Sequence, residues 1–345
     1  MDFTLSGEAR DLAGMTRDLA ASGRPLWPAL AEAGVLAAAL PKRAGGEGYG
    51  LLEQCAILAE LGRHAATVPY LPSIVVAASG LARFGGEDQV AEWARPACRG
   101  EVLLTAAPGG AVRAEPAAEG WRLDGTVPAV PVADAAALIL VPAGPGVFLV
   151  RPDDPGVTVE AQLVAGGPGA GLLRLDGVTL PAGRLIADPA VGPWLTAHAT
   201  VGACAAQLGV VERALEMTAE YAGTRVQFGR PIGAFQAVAQ RLADAHIDVE
   251  CLRLAVWQAA WRLTEHPPAT AEVATAGFWA AEAGHRVLHT AVHVHGGVGL
   301  DVEYPLHRYF LAAKYHEFLL GGATAQLLAL GEVFSSEVER VTVLA

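Results

Sequence analysis

The feature that most constrains this chain is a double change of texture: helix-patterned sequence, then strand-and-turn sequence, then helix-patterned sequence again. Residues 1–100 carry helical spacing, as in Trp27, Leu30, Ala31, Gly34 and Val35, and again in Leu52, Cys55, Ile57, Leu58 and Leu61. Pro69 and Pro72 interrupt, and Ser73 reads as the N-cap of an apolar helix over Ile74 to Phe84. In residues 101–188 the runs shorten to Trp121-Arg-Leu-Asp-Gly, Ala137-Leu-Ile-Leu-Val, Val147-Phe-Leu-Val and Leu172-Leu-Arg-Leu, punctuated by Gly, Pro and Asp. Many short strands at such spacing predict a small barrel or sandwich. Residues 189–345 return to apolar helical faces over Leu208 to Thr224, Ala234 to Leu263 and Thr270 to Val294, the pattern of a four-helix-type bundle. The expected fold is thus α+β and multidomain: helical domain, β-domain, helical bundle.

Charge and apolar content then exclude classes of function. With 36 Asp+Glu against 24 Lys+Arg and a formal charge of −12, neither nucleic acid nor an anionic membrane is the expected main partner. The longest apolar stretch, Ala135 to Val150, is broken by Pro142, Gly144 and Pro145 and is too short to span a bilayer. Cys55, Cys98, Cys204 and Cys251 show neither CxxC nor zinc-ribbon spacing, so free thiols in a reducing compartment are expected. The first residues lack a basic start followed by an apolar run, and a cytoplasmic location is expected.

Histidines 285, 289 and 293 recur at every fourth position and would share one helix face, with His295 just beyond. Imidazoles so spaced can bind zinc. No Asp, Glu or Cys joins them at ligand spacing, and no metal site is expected. The clusters Gly46-Glu-Gly-Tyr-Gly50 and Gly167-Pro-Gly-Ala-Gly171 lack the strand-to-helix setting of a dinucleotide site, while Gly296-Gly-Val-Gly299 reads as a helix C-cap. Two longer strings are more specific: Arg225-Val-Gln-Phe-Gly-Arg-Pro-Ile-Gly-Ala-Phe-Gln236, and Val294-His-Gly-Gly-Val-Gly-Leu-Asp-Val-Glu-Tyr-Pro-Leu-His-Arg-Tyr-Phe310. Each reads as a Gly/Pro turn between helices. Such a turn can present backbone N–H groups and an Arg fork to an anionic ligand, and a buried Arg at a helix junction would read the same.

These strings resemble the acyl-CoA dehydrogenase family, and the resemblance runs along nearly the whole chain. It extends through Leu58-Ala-Glu-Leu-Gly-Arg63, Gly120-Trp-Arg-Leu-Asp-Gly125 and Gly177-Val-Thr-Leu-Pro181. The resemblance implies FAD between subunits, with the flavin ring on one protomer's β-domain and the neighbour's bundle on the pyrophosphate and adenosine. It implies Arg225, Phe228 and Gln236 as contacts to the neighbour's cofactor, with the Gly296-Gly297 turn approaching the same group. His293 stands where the family usually has Gln. The reaction implied is α,β-dehydrogenation of an acyl thioester, on CoA or a carrier protein, with a Glu removing the α-proton.

The chain departs from the family in its own half of that site. The base is expected at position 320 or 321, which are Leu and Gly within Phe318-Leu-Leu-Gly-Gly-Ala-Thr-Ala-Gln326. The alternative location, Ala197-His-Ala-Thr-Val-Gly202, also lacks a carboxylate; Glu317 and His316 are the nearest candidates. The flavin-side strings are reduced to Val127-Pro-Ala-Val-Pro131 and Thr105-Ala-Ala-Pro108. Three readings follow: a base-lacking subunit paired with a homologous catalytic chain, a homomer using Glu317, or a flavin-free scaffold on the same fold.

Overall fold

The computed structural model of the chain describes residues 3–319 and 321–343, and side chains as far as Ser335. Helices α1 (Gly7–Ala21), α2 (Leu26–Glu32), α3 (Val35–Ala38), α4 (Leu51–Arg63), α5 (Ser79–Phe84), α6 (Glu87–Gln89) and α7 (Arg95–Cys98) come first. Strands β1 (Leu104–Ala106), β2 (Ala111–Ala117), β3 (Gly120–Pro131), β4 (Leu138–Ala143), β5 (Gly146–Val150), β6 (Val157–Gln162), β7 (Ala170–Leu180) and β8 (Leu185–Ile186) follow. Then come α8 (Val191–Thr224), a hairpin of β9 (Val226–Gln227) and β10 (Arg230–Pro231), α9 (Gln236–Glu265), α10 (Thr270–His295), α11 (Leu306–Leu319) and α12 (Gly322–Val343). By contact the chain forms two compact units, residues 18–54 with 67–199, and residues 1–17, 55–66 and 200–345.

The first unit holds two four-stranded sheets, β1-β4-β5-β8 and β2-β3-β7-β6. Only β1 and β4 pair in parallel; the other pairings of these sheets are antiparallel. The sheets form a sandwich rather than a closed barrel, because the inward side chains of both meet in one core that includes Leu123, Val141, Phe148, Leu173 and Val178. Each such fully buried side chain contributes roughly 1.5–3 kcal/mol. Trp121 on β3 meets Phe148 on β5 edge to face at 5.7 Å. One local expectation fails. The apolar helix begins at Tyr70, directly behind Pro69, with its first nine residues wound as a π-helix. Ser73 lies inside it, fully buried, and its Oγ accepts the Leu104 N–H at 3.1 Å. Pro72 did not delay the helix, because a proline in the first turn forfeits no intrahelical bond.

The longest helix, α8, has 34 residues and continues from residue 200 in the second unit. Its apolar character reflects burial within the protein, where 72% of its most apolar window lies. Two glycines let the end of α4 cross it closely. A Cβ on Gly62 would collide with the Ala206 carbonyl oxygen, and one on Gly209 with the Ala59 carbonyl oxygen. Beside this crossing Arg63 donates to Glu212 at 3.1 Å and to Glu216 at 2.8 Å, and Tyr309 donates to the Arg63 carbonyl at 2.7 Å. Gly209→Ala should therefore lower the melting temperature, since overpacking costs about 1–3 kcal/mol. Gly223→Ala, on the same helix with open space at its Cβ, should leave it unchanged or raise it. Thermal unfolding of the two variants checks this. All four cysteines are free thiols; Cys55, Cys98 and Cys204 are buried, and burial pushes Cys98 up to about 11.

Candidate functional site

The first diagnostic string folds as a hairpin between α8 and α9. The Arg225 N–H donates to the Tyr221 carbonyl, and the Ile232 N–H to the Arg225 carbonyl, both at 2.8 Å. Val226 and Gln227 pair antiparallel with Pro231 and Arg230, leaving Phe228 and Gly229 to turn with φ of +53° and +79°. Successive positive φ angles match the twist of a two-residue hairpin but are costly for a large side chain. Phe228 is 92% exposed, its ring 6.2 Å from Phe235. Arg230 lies over Phe235 at 4.2 Å. Arg225 is exposed, and among the described residues no carboxylate pairs with it. Gln236 is the exposed first residue of α9, whose N-terminus has no side-chain cap and presents free amides.

The second string ends α10. Gly296 caps the helix, and a short 3-10 turn runs over Gly296–Leu300. His293 is exposed, and a Cβ on Gly296 or Gly297 would meet nothing within 4 Å, so this backbone is open to an approaching group. His295 packs the second string against α8 just before the first. It is buried, with its ring stacked on Tyr221 at 4.4 Å and 5.3 Å from Tyr304. Its Nδ1 lies 2.8 Å from the Ala291 carbonyl, and burial lowers its pKa. Tyr304 belongs to the second string, but Tyr221 was not marked by the sequence patterns, and the helical register of α8 alone could not reveal its contact with His295.

At the expected position of the base, α11 and α12 meet at Gly321 and Gly322, with φ of +76° and +74°; Leu320 lies outside the described residues. Neither glycine offers a carboxylate to the joint. Glu317 is committed elsewhere. One of its oxygens accepts from Lys314 Nζ at 2.7 Å, the other lies 3.3 Å from His285 Nδ1, and Lys314 Nζ is 2.9 Å from that same nitrogen. His316 has a buried Nδ1, and burial pushes its pKa down to about 4. In the alternative base region of the sandwich unit, His198 is buried and stacked on Trp194 at 3.6 Å, and burial again lowers its pKa to about 4. Both histidines lie below the ~6.5 of an unfolded imidazole, so the unfolded chain binds more protons between these values. Their stabilising contribution is whole above pH ~6.5 and is lost as pH falls toward 4, by up to ~1.4 kcal/mol per pH unit for each. His198→Phe should flatten that slope in a pH series of urea unfolding.

His285, His289 and His293 line a groove of about 710 Å³ between α9 and α10, with Arg241, Asp244 and Asp248 opposite. Arg286 grips Asp248 through two hydrogen bonds. Burial and the Lys314 ammonium lower the His289 pKa. Among the described residues no cluster of three or more His, Cys, Asp or Glu is arranged to hold a metal. On the sandwich, Thr105 is fully buried and its hydroxyl donates to the Pro131 carbonyl at 2.7 Å. The pairing of β3 with β7 slips between Val127 and Val130. Ala129 sits there at φ +53°, its N–H bonded to Gln162 Oε1 at 2.8 Å.

Known proteins share this fold. Residues 8–101 match the family model for the acyl-CoA dehydrogenase N-terminal domain, and residues 194–334 match that for the C-terminal domain. The chain is 48% identical to acyl-CoA dehydrogenase FadE27 of Mycobacterium tuberculosis, over 96% of this chain and 98% of that protein. Among solved structures, a chain of the ChsE4–ChsE5 complex from Mycobacterium tuberculosis superposes with a TM-score of 0.94 at 48% identity, covering 97% of this chain and 99% of that one. The Tcur3481–Tcur3483 steroid ACAD superposes with a TM-score of 0.90 at 39% identity, covering 97% of this chain and 100% of that one.

Proposed function

Because the chain belongs to the acyl-CoA dehydrogenase family, we propose that it is one subunit of a heteromeric acyl-CoA dehydrogenase, lending its bundle to FAD seated on a homologous catalytic subunit. Bound there, FAD supplies the hydride acceptor for α,β-dehydrogenation of an acyl thioester. Arg225 would grip its pyrophosphate, with the open Gly296–Gly297 backbone beside it. Phe228, Gln236 and His293 would flank the adenosine half. The residues fit such a group: an exposed guanidinium without a carboxylate partner among the described residues, two glycines with open space, and uncapped amides at the start of α9.

The observation that carries this reading is an asymmetry. The second string packs through His295 on Tyr221, one turn before the first, with Arg225 left uncommitted, whereas Glu317 accepts from the Lys314 ammonium beside His285. Similarity to a steroid ACAD supports a steroid acyl thioester as the substrate. The test is flavin absorbance after expression with and without the homologous gene product. FAD that is retained only on co-expression supports the heteromer. One equivalent of FAD in the chain alone refutes it.

A further inference from the structure

His295, the last residue of α10, is 4% exposed. Its Nδ1 lies 2.8 Å from the Ala291 carbonyl, and a carbonyl only accepts, so Nδ1 carries a proton. Its Nε2 is buried and meets no hydrogen-bond partner among the described residues. The ring is held instead by its aromatic neighbours. Tyr221 lies nearly parallel to it at 4.4 Å, and Tyr304 lies tilted at 5.3 Å.

Both ends of this packing lead into the candidate cofactor site. The Tyr221 carbonyl accepts the Arg225 N–H at 2.8 Å, and so hangs the root of the hairpin from the end of α8. The hairpin itself pairs Val226 with Pro231 and Gln227 with Arg230, and all four residues are exposed. A ladder that short is not stable in water by itself, so its root decides where it stands. Directly after His295 the chain turns at Gly296, with φ of +65° and ψ of −141°, a backbone that only glycine adopts cheaply. The turn then folds back, so that a Cβ on Gly299 would stand 3.1 Å from the His295 Cβ.

We infer that His295 is the positioning residue for the phosphate-binding end of the site, an inference that rests on the FAD reading above. Its ring sets the root of Arg225 against the Gly296–Gly297 backbone. Being buried, it does not itself touch the cofactor. It acts by holding the guanidinium in place before binding, which spares the complex the ordering cost.

The test measures the FAD affinity of the co-expressed complex for His295→Ala, His295→Phe, Arg225→Ala and the double variant of His295→Ala with Arg225→Ala. Amide exchange of the isolated chain is followed in parallel. Loss of the stacked ring in His295→Ala should weaken FAD binding roughly three- to tenfold. His295→Phe keeps the ring and loses the Nδ1 bond, and should recover most of that loss. In the Arg225→Ala background, His295→Ala should cost less than about twofold more, since no guanidinium remains to be placed. The Arg225 and Ile232 amides should exchange about tenfold faster in His295→Ala, while amides in the middle of α9 keep their protection. Equal losses from His295→Ala in both backgrounds overturn the assignment, as does a His295→Phe variant that recovers nothing. Faster exchange throughout the bundle marks a merely structural role and overturns it too. Wild-type FAD affinity in Arg225→Ala defeats the FAD reading instead. Exchange alone then judges His295: a change confined to the hairpin root keeps it as the residue that fixes Arg225, and unchanged exchange removes it.

Discussion

Purified alone and supplied with FAD, the chain should oxidise an acyl-CoA at least about a hundredfold more slowly than the assembled pair, because general-base catalysis contributes roughly 10²–10⁴-fold. Gly321 and Gly322 form the joint where the family's base is expected, and Glu317 is the nearest carboxylate. Its oxygens face Lys314 and His285, so Glu317→Gln should leave the residual rate unchanged while loosening the Lys314 contact. Dye-coupled turnover of the homogeneous chain, wild type against Glu317→Gln, decides this. Robust turnover abolished by the substitution would make the chain a homomeric dehydrogenase with Glu317 as its base.

Arg225→Ala should strip FAD from the assembled complex while leaving the chain folded. A charge-assisted contact to phosphate is worth about 1.5–3 kcal/mol, roughly ten- to a hundredfold in affinity. Arg225 has no carboxylate partner among the described residues, so its removal leaves no buried charge behind. Arg225→Lys should restore affinity only partly, because an ammonium lacks the planar fork. The measurements are FAD per complex and the melting temperature of the isolated chain. A fall in the melting temperature with constant FAD content would mean that Arg225 ties helices together instead.

Much of this protein was legible in its sequence. The alternation of helical and strand periodicity records which faces are buried, and burial periodicity is a local property of the chain. The positions of the sandwich strands and the long bundle helices follow from it. The Arg225–Gln236 and Val294–Phe310 strings were likewise readable as turns between helices, since Gly and Pro fix backbone geometry within a few residues. Only the tertiary structure decided which distant residues complete each other. It stacked His295 on Tyr221, turned Glu317 toward Lys314 and His285, set Ser73 inside a helix against Leu104, and directed the Thr105 hydroxyl to Pro131. The physical reason is that a side chain's partner depends on where helices and strands cross. Those crossings are set by close approaches such as Gly62 to Ala206 and Gly209 to Ala59, which no local periodicity encodes.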